Sequence, residues 1–199
     1  GIAARFDFGD NILGNDTEYR GSWMWTVQNE LQQDILSKID GALVKAFNVS
    51  GSLKGSAAAI YIAKNAFVEE INILTGARLE GDIISKWDPK NPNIIRTEDT
   101  PKAEDMHTEL TFGLSAEEDG TAGTPDKNFS LDYSGNILGD KSIDMSLEAG
   151  RLSLSGKVDV YSLENKGYLV LNQSVTGSVV EVVEQFTNNA DATLETGFA

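Results

Sequence analysis

The sequence offers few side chains of the kinds that catalysis or metal binding requires. It has 199 residues and no cysteine, which excludes disulfides, thiolate zinc sites and thiol nucleophiles. Its one histidine, His107, excludes metal sites built from several histidines. A Ser-His-Asp triad would need His107, but the surrounding segment, TPKAEDMHTEL, has no Gly-x-Ser-x-Gly elbow. We therefore expect His107 to be a solvent-exposed loop residue.

Adjacent carboxylates are the other candidates for chemistry, because two acids flanking a glycosidic bond can hydrolyse a polysaccharide. They occur at Glu69-Glu70, Glu98-Asp99, Glu104-Asp105 and Glu117-Glu118-Asp119. In a protein with a formal net charge of −15, neighbouring acids usually form a solvated face instead. The Asp-rich loops also lack the ligand spacing of calcium-binding loops. We therefore predict no catalytic residue, no cofactor and no metal ligand.

Aromatic side chains leave a sugar-binding surface open as an alternative. The candidates are Trp23, Trp25, Trp87, Tyr19 and Tyr61. The sequence has no regularly spaced stripe of such residues, so we favour a role for them in the core or at the ends of a coil.

The charge and hydropathy of the chain restrict the classes of partner that it can bind. The isoelectric point is about 4.3, and so acidic a surface repels phosphate backbones, which argues against nucleic acid as a partner. The sequence has no run of about 18 apolar residues, so no membrane-spanning helix is predicted. The opening residues, GIAARFDFGDN, read like the middle of a protein, and we expect the chain to be a segment of a longer one.

Residues 1–41 are predicted to form a cap or linker with one amphipathic helix over 24–39. Ser22 is a candidate for the cap of this helix, and Gly41 for its end. The aromatic and β-branched residues of WMWTVQ leave a strand as the alternative at its beginning. Apolar residues recur at helical spacing at Met24, Val27, Leu31, Ile35 and Ile39.

Residues 42–199 show the pattern of short strands separated by glycine or asparagine corners. In INILTGARLEGDII, Ile71 and Ile73 are predicted to point into a core, and Leu79 and Ile84 to begin the next face. Corners need a positive φ, which Gly and Asn adopt at low cost. The predicted structural corners are Gly51, Gly76, Gly81, Gly150, Asn172 and Gly197.

These corners recur with a period of about 20–25 residues, which indicates a β-solenoid. One turn of such a coil cannot bury its apolar face alone, but stacked turns share a continuous core through parallel strands. The predicted fold class is therefore all-β. Prolines and charges interrupt the strand texture at about 87–108 and 115–128, where we predict long insertions. The helix at 24–39 would cover the exposed first turn.

Two passages resemble bacterial autotransporter passenger domains. Residues 47–87 are similar to the region that follows the catalytic domain in subtilisin-like autotransporter peptidases, and residues 146–179 look like the last turns before the translocation barrel. The resemblance implies a right-handed parallel β-helix. It also implies as partners a C-terminal outer-membrane barrel and an upstream passenger domain of the same protein. The implied location is the surface of a Gram-negative bacterium.

Three functions are compatible with these observations. The first is a non-catalytic stalk or scaffold that aids folding of the passenger during secretion. The second is an adhesin-type module whose excursions between residues 87 and 128 contact a host protein or glycan, since binding residues often lie on loops of a rigid scaffold. The third is an enzyme, either a polysaccharide-active β-helix or part of a subtilisin-like serine peptidase with its catalytic domain outside this chain. The scarcity of catalytic groups favours the first.

Overall fold

The structure, a computed structural model, describes residues 1–7, 42–92, 94, 98, 100–172 and 179–197. These residues form an all-β protein, as predicted, and their only helical segment is a 3-10 turn at Ala103–Asp105. The predicted helix over 24–39 lies outside the described residues. The strands are β1 (Ile2–Phe6), β2 (Val44–Val49), β3 (Ser52–Lys54), β4 (Ala58–Ile62), β5 (Val68–Leu74), β6 (Arg78–Glu80), β7 (Ile83–Ser85), β8 (Thr108–Ala116), β9 (Ala122–Pro125), β10 (Ser130–Tyr133), β11 (Ile137–Leu147), β12 (Arg151–Leu154), β13 (Val158–Asn165), β14 (Tyr168–Asn172), β15 (Val180–Asn188) and β16 (Thr193–Gly197).

The strands build three stacks in which the paired neighbours are parallel. Stack A contains β2, β5, β8 and the C-terminal halves of β11, β13 and β15. Stack B contains the pair β3–β6 and the sheet β10–β12–β14–β16. Stack C contains β1, β4, β7 and the N-terminal halves of β11, β13 and β15. The long strands join stacks A and C into one curled, ten-stranded sheet.

Successive strands visit the three stacks in a constant order. Strands β2, β3 and β4 lie in stacks A, B and C, and β5, β6 and β7 repeat that order beside them. We call each such passage of the chain through the three stacks a level. Side-chain hydrogen bonds between levels show the length of the repeat. Asn72 Nδ2 donates to Asn48 Oδ1 across 24 residues, and Asn165 Nδ2 donates to Asn188 Oδ1 across 23 residues. The shortest repeat, between the register partners of β12 and β14, spans 17 residues, below the predicted range.

Inward-facing columns of apolar side chains form the core. Alternation along each strand puts every second residue in such a column. Ile71 and Ile73 point inward as predicted and are fully buried. The next face differs from the prediction, because Ile83 is fully buried while Ile84 is half-buried. The corner before β7 determines which of its residues face inward, and it makes Ile83 the register partner of the buried Ile60. One column contains Phe47, Ile71, Leu110, Met145, Leu163 and Phe186.

Glycines lie where the backbones of successive levels approach most closely. Gly81 has a φ of +107°, and a Cβ there would lie 2.2 Å from the carbonyl oxygen of Gly55 on the preceding level. The same approach recurs where Gly135 meets Gly81 and where Gly156 meets Gly135. Parallel strands are about 4.8 Å apart, which leaves no room for side chains that point along this corner. The column accounts for glycine at four positions, of which Gly81 is among the predicted structural corners.

The other predicted corners are of three kinds. Gly76 and Gly150 also have a positive φ, at +95° and +79°. Gly51 lies in a bend between β2 and β3 without a positive φ, and a Cβ there would meet open space. Asn172 and Gly197 are register partners at the ends of β14 and β16.

The N-terminal residues Ile2–Phe6 form a strand that the sequence reasoning missed. They pair in parallel with β4 and add a level to stack C. The burial of this strand alternates with a period of two: Ile2, Ala4 and Phe6 are partly buried, and Ala3 and Arg5 are exposed. The apolar Ala3 at an exposed position hides the alternation in the sequence IAARF. The domain boundary at residue 42 stays a prediction.

Candidate functional site

Two segments leave the stacks on either side of β8. Residues 86–107 connect β7 in stack C to β8 in stack A, and β8 itself extends beyond stack A to pair in antiparallel fashion with β9. These segments correspond to the insertions predicted at about 87–108 and 115–128. Since they interrupt an otherwise regular succession of parallel strands, we take them and the surface of stack A beside them as the candidate functional site.

The excursion 86–107 is fixed at both ends by one buried contact. Trp87 is 1% exposed, and its Nε1 donates a hydrogen bond of 2.9 Å to the carbonyl oxygen of the fully buried Met106. The indole ring also packs against Phe67, with ring centroids 5.6 Å apart. Trp87 therefore belongs to the core rather than to a sugar-binding surface, and it closes the base of the excursion.

His107 is not the exposed loop residue that the sequence predicted. Its side chain is only 8% exposed, and its ring packs edge-on against Tyr161 with centroids 4.4 Å apart. Its Nδ1 lies 3.0 Å from Asp144 Oδ2, across 37 residues of sequence. The prediction is wrong because the end of the excursion returns to the stack, where β11 and β13 supply an acid and an aromatic ring.

Asp144 joins His107 to a serine, but in an order that does not fit a hydrolase. Ser162 Oγ donates a 2.7 Å hydrogen bond to Asp144 Oδ1, while His107 contacts the other oxygen of the same carboxylate. In a serine hydrolase the histidine stands between serine and acid so that it can take the serine proton. Here the carboxylate stands between the two. This arrangement orients the side chains and places the carboxylate of Asp144, not the imidazole of His107, beside Ser162 Oγ.

Carboxylates occupy one outward column of stack A. Glu70 on β5, Glu109 on β8 and Asp144 on β11 are successive register partners. Burial, followed by the charges of Glu70 and Asp144, raises the pKa of Glu109. The column continues to Ser162 and Gln185, so the like charges are confined to three levels.

Two members of the acidic column, Glu109 and Asp144, line a shallow groove of about 240 Å³ on the outside of stack A. Glu148 and Glu164 add two more carboxylates to its walls. Lys166 partly compensates them, with Nζ 3.1 Å from Glu148 and 3.3 Å from Glu164. These contacts raise the pKa of Lys166, the hydrogen bond to Glu148 most of all. The remaining acids of the groove give it a negative potential.

The β8–β9 hairpin carries acids at its tip, and Asp126 attaches it to the residue that follows β5. Thr75 Oγ1 donates a 2.7 Å hydrogen bond to Asp126 Oδ2. The backbone N–H of Asn128 donates to the other oxygen of this carboxylate at 2.9 Å. These two hydrogen bonds, that of Asn128 first, lower the pKa of Asp126. Thr75, the residue before the predicted corner Gly76, therefore holds the hairpin.

The predicted acid pairs are dispersed over the surface. Glu69-Glu70 lie exposed on β5, Glu104-Asp105 lie in the 3-10 turn, and Glu117-Glu118-Asp119 form the hairpin tip. Glu98 is exposed, and its neighbour at position 99 lies outside the described residues. Trp23, Trp25 and Tyr19 also lie outside them, whereas Tyr61 is half-buried beneath Arg5, with the guanidinium carbon 5.0 Å from the ring centroid. Only Glu70 joins the acidic column.

A sequence signal for the acidic column exists in retrospect. Each acid stands immediately before a core residue of the same inward column, in the pairs Glu70-Ile71, Glu109-Leu110 and Asp144-Met145. Irregular spacing caused by the two insertions hides this alignment from a search at fixed period. Once the insertions are removed, the pairs align.

No family model, characterised protein or solved structure matches this chain. Among the residues that the structure describes, no three histidine, aspartate or glutamate side chains are grouped to hold a metal ion. The described part of the chain also has no helix of the length and apolarity needed to cross a membrane.

Proposed function

We propose that this chain forms a right-handed parallel β-helix and serves as a non-catalytic stalk segment of a secreted or cell-surface protein of the autotransporter type. The constant order of the three stacks, with register kept between levels, is the observation that carries the proposal. In such a coil each level contacts only its neighbours, so the molecule is a quasi-one-dimensional spacer. A spacer of this kind separates an upstream domain from an outer-membrane anchor.

The same architecture supplies a physical role in secretion. Each level that reaches the outside stacks on the one before and buries apolar surface, at about 25 cal/mol per Å². That gain opposes movement of the chain back through the membrane. In this proposal the partners are a C-terminal barrel and an upstream passenger domain of the same protein, and the tightly packed levels formed by β11 to β14 nucleate stacking.

Surface display in a Gram-negative host tests the proposal. The full chain is fused between an N-terminal epitope and an outer-membrane barrel, and the epitope is counted on intact cells with an antibody. Gly156→Val is expected to lower display several-fold, because a Cβ at Gly156 would lie 2.2 Å from the carbonyl oxygen of Gly135 and would disrupt a C-terminal level. Gly51→Val is the matched control, since a Cβ at Gly51 meets no atom within 4 Å.

The two variants are also compared as purified proteins by urea unfolding. If Gly156→Val is destabilised in solution but is displayed as well as the parent, folding does not assist secretion and the proposal is wrong on that point. Labelling of the purified chain by a serine-hydrolase probe would contradict the non-catalytic assignment.

A second candidate function, that of an adhesin-type binding module, is favoured by the excursions around β8. The buried Trp87–Met106 contact holds the base of one excursion, and Thr75–Asp126 holds the other. A rigid base that carries exposed polar segments is the usual arrangement of recognition loops. The expected ligand is a host protein or a glycan.

Replacing residues 89–102 with a short Gly-Ser linker tests this second function. The replacement retains Trp87 and Met106, which hold the base of the excursion, but it removes Ile94, a buried member of the core. Circular dichroism and urea unfolding must therefore show that the variant is folded. Binding to host cells and to immobilised glycans should fall if the excursion carries recognition. Unchanged binding by a folded variant would exclude this excursion, and a matching replacement of the hairpin tip at 117–121 would then examine the other one.

A further inference from the structure

A pocket of about 440 Å³ lies where the chain passes from stack A to stack B. Sites for small molecules commonly enclose about 300–1,000 Å³. Four segments contribute to this pocket: the base of the β8–β9 hairpin and the corners that follow β11, β13 and β15. We call it the corner pocket. Its side chains include Lys127, Glu148, Lys166, Tyr168, Asp191 and Thr193.

An exposed aromatic ring forms one wall of the corner pocket. Tyr168 is 39% exposed, although strands lie on both sides of it. Arg151 precedes it and Thr193 follows it in the same outward column of stack B. The Tyr168 N–H donates a 2.8 Å hydrogen bond to the carbonyl oxygen of Gly150, and its hydroxyl donates to a carboxylate oxygen of Glu195. The residue is thus held at both its main chain and its hydroxyl, so little order remains to be imposed when a ligand binds.

A buried amide fixes the main chain beneath the ring. Asn165 is fully buried, and its Oδ1 accepts a 3.0 Å hydrogen bond from the N–H of Gly167. Its Nδ2 donates a 2.8 Å hydrogen bond to the carbonyl oxygen of Thr193 on the next level. A Cβ at Gly167 would lie 2.6 Å from the carbonyl oxygen of Gly150, so the main chains of these levels are in close contact. The corner pocket is therefore formed before any ligand arrives.

The charged side chains of the corner pocket balance one another. Lys127 and Lys166 line it together with Glu148 and Asp191. Lys166 is engaged by Glu148, with Nζ 3.1 Å from the carboxylate. Lys127 forms no ion pair with any described residue, and it follows Asp126, which attaches the hairpin to the stack. On a chain with a net charge of −15, a pocket without net charge is suited to a neutral ligand.

A sugar ring fits this combination of an aromatic wall and polar groups. One face of a sugar ring consists of C–H groups, which the negative face of an aromatic ring attracts. Its edge carries hydroxyl groups that both donate and accept hydrogen bonds, so they suit an ammonium group and a carboxylate alike. A purely apolar ligand would bury Lys127 and Asp191 without hydrogen bonds, which is costly. An acidic ligand would be repelled by Glu148 and Asp191.

We propose that the corner pocket binds a neutral saccharide, with the ring of Tyr168 against the sugar and with Lys127 and Asp191 hydrogen-bonded to its hydroxyl groups. The inference deepens the second candidate function, on which it rests, by naming a ligand class and a site. It places recognition at the base of the β8–β9 hairpin and on stack B, and not on the excursion 86–107. Tyr168 is not among the aromatic residues that the sequence suggested for sugar binding.

Titration of the isotope-labelled full chain with free sugars, followed by NMR, tests the proposal. The probes are galactose, mannose, fucose, N-acetylglucosamine and lactose, with N-acetylneuraminic acid as the acidic comparison. At least one neutral sugar should cause saturable shifts of the amide resonances around the corner pocket. These are the resonances of residues 126–127, 148–150, 166–168 and 191–193. Because the ligand is neutral, its affinity should not change with salt concentration.

Variants of the pocket show whether the ring and the lysine make the contacts. Tyr168→Ala should weaken binding by about tenfold or more, since a buried aromatic contact carries much of the affinity of such a site. Tyr168→Phe retains the ring and should lose far less. Lys127→Ala should weaken binding several-fold. Lys54→Ala is its matched control, because Lys54 is an exposed lysine of the same stack that lies outside the pocket, and this variant should bind like the parent.

Three results would overturn the proposal: no neutral sugar shifts these resonances, Tyr168→Ala binds as well as the parent, or N-acetylneuraminic acid binds more tightly than every neutral sugar. The amide spectrum of each variant shows that it is folded. Host-cell binding separates this inference from the function on which it rests. Binding that falls on replacement of residues 89–102 but persists in Tyr168→Ala would retain the second candidate function and exclude the corner pocket as its site.

Discussion

Glu109 of β8 and Asp144 of β11 are register partners on neighbouring parallel strands, so folding holds their carboxylates side by side on the outside of stack A. Neighbouring strands are about 4.8 Å apart. Asp144 receives a hydrogen bond from Ser162 and contacts His107. Glu109 has the raised pKa, first from burial and then from its acidic neighbours. The repulsion in this column is a cost of the stacked arrangement that the unfolded chain does not bear.

Glu109→Gln should stabilise the protein at neutral pH. Like charges directly opposite each other on adjacent strands cost about 0.2–1 kcal/mol, and the substitution removes them while keeping the shape of the side chain. Because the folded-state pKa of Glu109 is raised, the folded protein binds the proton more readily than the unfolded chain. The parent should therefore gain stability as the pH falls through that pKa, and the advantage of the variant should shrink there.

Urea unfolding of both proteins between about pH 4 and pH 8 measures the difference. Glu117→Gln at the exposed hairpin tip is the control and should change the free energy of unfolding by no more than about 0.5 kcal/mol. A Glu109→Gln protein that is less stable than the parent at neutral pH would show that Glu109 makes a favourable contact instead.

The glycine corners should differ in their tolerance of a side chain. Gly76→Val should cost roughly 1–3 kcal/mol, because Gly76 has a φ of +95° and its Cβ would lie 3.1 Å from the carbonyl oxygen of Ser50. Gly81→Ala should cost at least as much, because Gly81 also has a positive φ and its Cβ would clash with the carbonyl oxygen of Gly55. Gly51→Ala should be nearly neutral. Urea denaturation of the three variants gives the order, and equal stabilities would mean that the corners are not fixed by backbone approach.

Trp87→Phe should destabilise the protein by about 1–3 kcal/mol. The substitution removes the indole N–H and leaves the buried carbonyl of Met106 without its hydrogen bond. Because this contact closes the base of the excursion, limited proteolysis within residues 88–102 should also become faster. A variant with unchanged stability would show that the Met106 carbonyl finds another donor.

Asp126 should make attachment of the β8–β9 hairpin sensitive to acid. Its pKa is lowered in the folded protein, so its contribution is present above the ordinary aspartate pKa and is lost as the pH falls through the folded-state value. Asp126→Asn should raise amide hydrogen exchange in residues 114–125 at neutral pH and leave β12 and β14 unchanged. Exchange that rises equally throughout the chain would indicate global destabilisation instead.

The part of the fold set by local pattern could be predicted from sequence. Alternation around Ile71 and Ile73 and the glycines at 76, 81 and 150 were sufficient to predict parallel stacking with a common core. The sequence was not sufficient to predict which residues face inward after a corner, because one residue more or less in the turn decides whether Ile83 or Ile84 does so. Ile2–Phe6 escaped prediction because a strand at the edge of a stack buries few residues.

The candidate site could be predicted much less well than the fold. His107 and Asp144 are 37 residues apart, and the spacing depends on the β8–β9 insertion rather than on the repeat. Nothing local in AEDMHTEL shows that the loop returns to a ring on β13. Glu109 is brought beside Glu70 and Asp144 only by the register of the strands. Composition therefore showed that the chain is acidic, but not where carboxylates lie next to one another.

Cysteine cross-linking tests the central claim, the register of the stacked coil, most directly. The chain has no cysteine, so Thr111→Cys/Ser146→Cys introduces one pair at register partners on β8 and β11. Adjacent strands place such Cα atoms about 5 Å apart, within the range for a disulfide. Thr111→Cys/Glu148→Cys, two residues out of register, places them about 8 Å apart, beyond that range. The account predicts that the first variant oxidises in air to an intramolecular disulfide while the second stays reduced; equal oxidation of both, or of neither, would contradict it.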